Sequence, residues 1–188
     1  MSDKATRTRS QLIRSAAAVF TEHGYSRAKL STISMDAGVS RGALYFHFPS
    51  KEALADAVEA AAAEQFAGVT SGGQEGGPQS LARAVQTFAE LYRRDVTFRA
   101  GVLLSCEKDR KPTVNLIQQW QAYVREAVAV AERRHPFARS GAAGSTEHAV
   151  VALTVGLACL WHESEQWLAE STVRDVWNLL PPSVGRMD

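Results

Sequence analysis

The residues best equipped for specific chemistry crowd into one short stretch, where Ser40, Arg41, Gly42, Tyr45, His47 and Lys51 fall within twelve positions. An arginine at the start of a helix offers a planar fork of donors suited to guanine edges. The glycine beside it lets backbone approach a partner closely. Tyrosine, histidine and lysine at the following positions can reach phosphate oxygens and fix register. This is recognition chemistry. The competing catalytic patterns fail on context. Gly38-Val39-Ser40-Arg41-Gly42 matches the G-x-S-x-G string of hydrolases, but that serine needs a preceding strand, and the pattern here is helical. Trp161-His162-Glu163-Ser164-Glu165 places its donors at adjacent positions, which do not share a helix face, so no metal is expected. Cys106 and Cys159 have no partner at ligand spacing, the five histidines are scattered, and no phosphate-binding glycine loop is present. Neither enzymatic activity nor a cofactor is expected.

Helices must position these residues, because nearly every segment has a helical hydrophobic period and none alternates as a half-buried strand does. A first helix is predicted over about Thr8–His23, with Leu12, Ile13, Ala16, Ala17 and Phe20 on one stripe and Gly24 closing it. A short helix over Ser31–Ala37, with Ser31 as its N-cap, is followed by a turn at Gly38. Ser40 then caps a third helix through Phe46, Pro49 stops it, and Ser50 caps a fourth over Lys51–Phe66. Two short helices around Ala37-Gly38-Val39-Ser40, locked by Ile33, Val39 and Leu44, form a helix-turn-helix pattern whose second member fits a DNA major groove. Such pairs also occur in bundles that bind nothing, where Tyr45 and Phe46 would merely pack. Further helices are predicted at 79–94, 96–107, 112–135, 146–170 and 172–180, with a Gly- and Ala-rich loop over 137–145. Residues 68–78, with five glycines and a terminal proline, read as a linker. The expected fold is all-α: a helix-turn-helix head over 1–53, and a helical effector-binding and dimerisation domain over 54–188.

Composition is that of an ordinary globular chain, with 45% hydrophobic and 22% charged residues in 188. The longest nearly apolar run, 149–161, is too short to cross a bilayer, and no apolar signal segment opens the chain, so a cytoplasmic protein is expected. The net charge of +1 hides an asymmetry: residues 1–53 carry eight basic and four acidic side chains, a charge of +4. A basic head on an acidic body suggests a polyanion partner, although a solvated basic surface would read the same way.

Residues 7–66 resemble the DNA-binding domain of the tetracycline-repressor (TetR) family. The likeness rests on Ile13-x-x-Ala16-Ala17-x-x-x-Phe20-x-x-x-Gly24-Tyr25, on Ala37-Gly38-Val39-Ser40, and on Gly42-Ala43-Leu44-Tyr45-Phe46-His47-Phe48-x-x-Lys51-x-x-Leu54. It implies a homodimeric, ligand-responsive repressor on a pseudo-palindromic operator, dimerising through 146–170 and 172–180. It places Ser31 and Thr32 on phosphates, completing a DNA-binding set with Ser40, Arg41, Gly42, Tyr45, His47 and Lys51. The stretch 42–54 looks most like the γ-butyrolactone receptors of Streptomyces, in which a pocket tryptophan follows a proline-bearing loop. Trp120, eight residues after Pro112, fits that description. Phe88, Tyr92, Leu104, Ile117 and Trp161 complete the expected pocket for a small apolar effector. A TetR-like regulator of another ligand, in efflux or metabolic control, and a helical binding module without DNA affinity remain open.

Overall fold

A computed structural model describes residues 3–71, 78–108, 110–134, 143–180 and 186–187. Among them every regular element is a helix: α1 (Asp3–Arg27), α2 (Leu30–Asp36), α3 (Arg41–His47), α4 (Lys51–Ser71), α5 (Pro78–Arg94), α6 (Val96–Ser105), α7 (Leu116–Arg134), α8 (Ala143–Leu160) and α9 (Glu170–Trp177), with a 3-10 turn at Glu165–Leu168. No described helix is long and apolar enough to cross a membrane. The expected linker falls mostly, and the loop over 137–145 largely, outside the described residues.

The chain forms two compact units, Met1–Gln65 with Asp95–Leu116, and Phe66–Arg94 with Ile117–Asp188. In the first unit, the predicted stripe of α1 is buried, together with Ile33, Leu44, Leu54, Val58, Ala100 and Leu104. Gly24 breaks α1 with φ 73°, a conformation that costs a glycine nothing. Gly38, at φ 62°, turns the chain between α2 and α3, and the Val39 N–H closes that turn on the Ser34 carbonyl at 3.0 Å. The caps expected at Ser40 and Ser50 are in place: their hydroxyls accept from the Ala43 and Ala53 N–H groups at 3.1 and 3.0 Å. Helix α6 packs on α1 and α4, and does so closely because of Gly101. A Cβ there would lie 2.4 Å from Ala62 Cβ and 2.7 Å from Leu116 Cδ1.

Several expected helix boundaries are corrected. Helix α2 begins at Leu30, not Ser31: extended Lys29 occupies the cap position, and its carbonyl receives the Thr32 and Ile33 N–H groups. Helix α4 runs on past Phe66 to Ser71. Helix α7 starts at Leu116 rather than Pro112, because the Ser105 hydroxyl at the end of α6 accepts the Leu116 N–H at 3.0 Å. The run expected as one helix from 146 to 170 ends at Leu160, and Ser164 opens the 3-10 turn by accepting from the Gln166 N–H. Helix α9 correspondingly begins at Glu170.

The second unit buries one face of α5 (Leu81, Val85, Phe88, Tyr92), α7 (Trp120, Val124, Val128), and α8 (Val150, Thr154, Leu157) with Trp177 of α9. Residues at three- and four-residue spacing meet the core, as amphipathic helices require. A surface clasp joins α7 to α8: Arg125 and Gln121 both donate to the Glu147 carboxylate, at 3.1 and 3.2 Å for the closest contacts.

Candidate nucleic-acid interface and aromatic cluster

Helix α3 is seven residues long and anchored at both ends. Ser40 caps its start, Leu44 is buried beneath it, and buried Phe48 closes it by donating its N–H to the Leu44 carbonyl. Because 3.6 residues make a turn, Tyr45 lies one turn above Arg41 on the same stripe, as Phe46 does above Gly42. All four are exposed. A shallow groove of about 250 Å³, lined by Leu30, Ser31, Arg41, Leu44 and Tyr45, runs between α2 and α3. Ser31 and Thr32 are half-buried in the first turn of α2, and His47 is half-buried with its ring 5.3 Å from that of Phe46. Arg41, Tyr45 and Ser31 thus share one rim of the head, with exposed Gly42 next to Arg41 on α3.

Lys51 has a different set of neighbours. Its ammonium donates to the carbonyls of Tyr25, Ser26 and Ala28 at 2.7, 3.2 and 3.1 Å and lies 4.5 Å from the centre of the Tyr25 ring. Those contacts use all three of its N–H donors. Placed at the start of α4, it ties that helix to the chain leaving α1.

A buried charge cluster adjoins the same tyrosine, and it escaped the sequence reasoning. Arg110, whose side chain is 2% exposed, pairs with Asp56 at 2.8 Å and with fully buried Glu59 at 3.0 Å. Its guanidinium lies 4.9 Å from the Tyr25 ring centre, and the Tyr25 N–H donates to Glu107 at 3.1 Å. Burial raises the Glu59 pKa above its ordinary value, against the opposing pull of Arg110. The same desolvation raises that of Tyr25. The available signal was the pair of acids three apart in an alanine-rich helix, a spacing that puts both carboxylates on one face.

The residues expected around a pocket divide between the units. Leu104 sits in the core of the first unit. Trp120, Phe88, Tyr92, Ile117 and Trp161 belong to the second. There Trp120 is fully buried, 5.2 Å from Phe88 and stacked at 5.6 Å on Tyr123, while Tyr92 meets Trp161 edge-on at 6.0 Å. Ile117 is half-buried at the start of α7. Trp120 Nε1 and the Tyr123 hydroxyl are buried without a hydrogen-bond partner. Burial raises the Tyr123 pKa, so its hydroxyl stays a donor across the neutral range. Two unspent donors inside an aromatic wall can receive a carbonyl or ether oxygen. Tyr123 was not among the expected residues, although its position three after Trp120 put it on the same face. Elsewhere on this unit, a cleft of about 280 Å³ is lined by Gln86, Glu90, Arg93, Arg94, Glu170 and neighbouring apolar groups, and is mainly polar.

Comparison with known proteins agrees with this arrangement. Residues 12–58 match the pattern of the bacterial regulatory proteins, tetR family. The A-factor receptor protein of Streptomyces griseus is 43% identical over 107 residues, covering 55% of this chain and 37% of the receptor, so the match spans little more than a third of that relative. The transcriptional repressor BepR of Brucella suis is 27% identical over 177 residues, 87% of this chain and 84% of the repressor. The crystal structure of a gamma-butyrolactone receptor described as ArpA-like superposes with a TM-score of 0.78 at 26% identity, over 94% of this chain and 87% of that one. Residues 12–58 thus carry the tetR-family pattern on a capped helix-turn-helix head, and the chain, whose regular elements are all helices among the described residues, resembles the gamma-butyrolactone receptors.

Proposed function

We propose that the chain is a ligand-responsive transcriptional repressor that binds operator DNA as a homodimer and leaves it when a small apolar effector binds. The observation that carries this is the four-residue face of α3. A rigidly capped helix presents an arginine, a glycine and a tyrosine outward, on a head of charge +4. Arg41 is placed to read a base edge, and Ser31, Thr32, Tyr45 and His47 to hold phosphates. Ser40 and Lys51 act on the head itself, as cap and tie. Two heads would enter successive major grooves about 34 Å apart. Helices α8 and α9 supply the dimer surface in this proposal, and half-exposed Val151 and Val155 with exposed Leu160 on α8 support it.

The effector site is assigned to the second unit, around Trp120, Tyr123, Phe88, Tyr92 and Trp161. A γ-butyrolactone-type signal suits it, having a compact apolar body and carbonyl oxygens for the two unpartnered donors. To change the head population from mostly bound to mostly free, the effector must prefer the released state by about 5.5 kcal/mol. The test begins with selection of bound duplexes from a random DNA pool by the full-length protein, followed by fluorescence anisotropy on the selected duplex with and without a synthetic γ-butyrolactone. Sequence-specific binding reversed by the lactone is expected. Arg41→Ala should weaken the selected duplex by about tenfold or more and random DNA far less. Equal losses on both would refute Arg41 as a base reader, and lactone-insensitive binding would refute the effector class.

A further inference from the structure

The exposed face of α3 carries one residue that a polar interface does not explain. Phe46 is 81% exposed, the most exposed aromatic side chain among the described residues, yet it sits one turn beyond Gly42 on the face that also bears Arg41 and Tyr45. Its ring is braced: it meets the half-buried His47 imidazole edge-on at 5.3 Å, and that imidazole in turn lies 6.5 Å from the ring of buried Phe48. An apolar ring held outward beside a glycine, on the positively charged head, has a natural complement in the major groove. The thymine 5-methyl group is the apolar feature among the base edges there, and phenylalanine is one of the side chains that contact it.

We propose that Phe46 is a specificity-determining residue that packs on thymine methyl groups of the operator, next to the base read by Arg41. This inference rests on the DNA-binding function proposed above. The arrangement divides the labour on one short helix: Arg41 selects by hydrogen bonding, Phe46 by burial of a methyl, and Gly42 between them leaves the space for the groove edge. Phe46 contributes nothing to the core of the head, so its exchange leaves the fold intact.

The experiment uses the full-length protein and the duplex enriched from a random pool. Each thymine of a half-site is replaced singly by deoxyuridine, which deletes only the methyl, and affinities are read by fluorescence anisotropy. One buried methyl is worth about fourfold in affinity. At one or two adjacent thymines the unmodified protein should bind the uracil duplex about fourfold more weakly. Phe46→Ala should bind thymine and uracil duplexes alike, and about tenfold more weakly than the unmodified protein binds the thymine duplex. Met35→Ala removes an equally exposed apolar side chain of α2, off the recognition face, and should keep the fourfold ratio. Specific binding with no thymine that matters, or a thymine preference that survives Phe46→Ala, overturns the inference while leaving the DNA-binding function standing. Failure to enrich any duplex overturns that function, and this inference with it.

Discussion

Replacing Lys51 by methionine separates a structural tie from a phosphate contact. The variant keeps the aliphatic stem and removes the cation. It therefore deletes three hydrogen bonds from the ammonium to the carbonyls of Tyr25, Ser26 and Ala28, and the cation held 4.5 Å from the Tyr25 ring. A hydrogen bond to a charged group is worth about 1.5–3 kcal/mol when buried and well aligned. Here one side chain serves all three acceptors and the Ser26 contact is open to water, so the three do not add. The cation–ring contact contributes on the order of 0.5–1 kcal/mol. We expect a net loss near 2 kcal/mol, which for a chain of this length lowers the melting temperature by about 4–8 °C. The salt dependence of DNA binding should scarcely change. Each neutralised phosphate contributes about 0.9 to the slope of log affinity against log salt, and a lysine fully engaged by backbone contributes none. The assay pairs a thermal melt followed by circular dichroism with anisotropy titrations between about 50 and 200 mM salt. A slope reduced by about one with an unchanged melt would refute the reasoning, because the ammonium would then have been free to hold a phosphate.

Gly101→Ala and Gly68→Ala make the same chemical change with opposite expected signs. A new Cβ at 101 meets Ala62 Cβ at 2.4 Å, and the resulting overpacking costs about 1–3 kcal/mol, more than the roughly 1 kcal/mol of helix propensity gained. At 68, where nothing lies within 4 Å of the added atom, the propensity gain should appear alone as a higher midpoint in urea. Glu147→Gln should lower the melting temperature at neutral pH. Arg125 holds the Glu147 pKa below its ordinary value, so its stabilisation is present above the usual glutamate range and is lost as pH falls through the depressed folded value. Melts across pH should therefore show the two proteins converging in acid, and a difference that persists there would count against the clasp. Trp120→Phe keeps the stacking surface and removes the indole donor; operator affinity should hold while the lactone concentration needed for half-release rises about tenfold.

What the sequence made legible was whatever is set within a few residues. The stripe from Leu12 to Phe20 announced the buried face of α1, because helical period alone decides which side chains align. Ser40 and Ser50 were readable as caps since a hydroxyl needs only the N–H three residues on. Gly24 and Gly38 marked chain reversals that demand positive φ. The limits were equally physical. Ser31 looked like a cap, yet the preceding extended backbone at Lys29 set the start of α2 without a side chain. The break after Leu160 was hidden in a continuous apolar run, where periodicity persists across a turn. That Leu104 packs with α1, whereas Trp120 packs with α5, depends on contacts dozens of residues apart, and the two have the same amphipathic signature. Arg110 and Glu59 are 51 positions apart and find one another only in the folded chain.

The Arg110 cluster also constrains how this chain can change over generations. Removing Arg110 alone strands two acids, one of them wholly buried, and removing Glu59 alone leaves the buried arginine with only Asp56. Breaking a buried pair in this way costs about 3–5 kcal/mol, a large share of the stability of any domain. Exchanging the whole set for apolar residues of similar volume is close to neutral, so the charged solution and an uncharged one are two viable states separated by a deep trough. Single substitutions cannot cross it without passing through a crippled intermediate. Asp56, Glu59 and Arg110 are therefore expected to behave as one unit under mutation, each single change costing more than the exchange of all three.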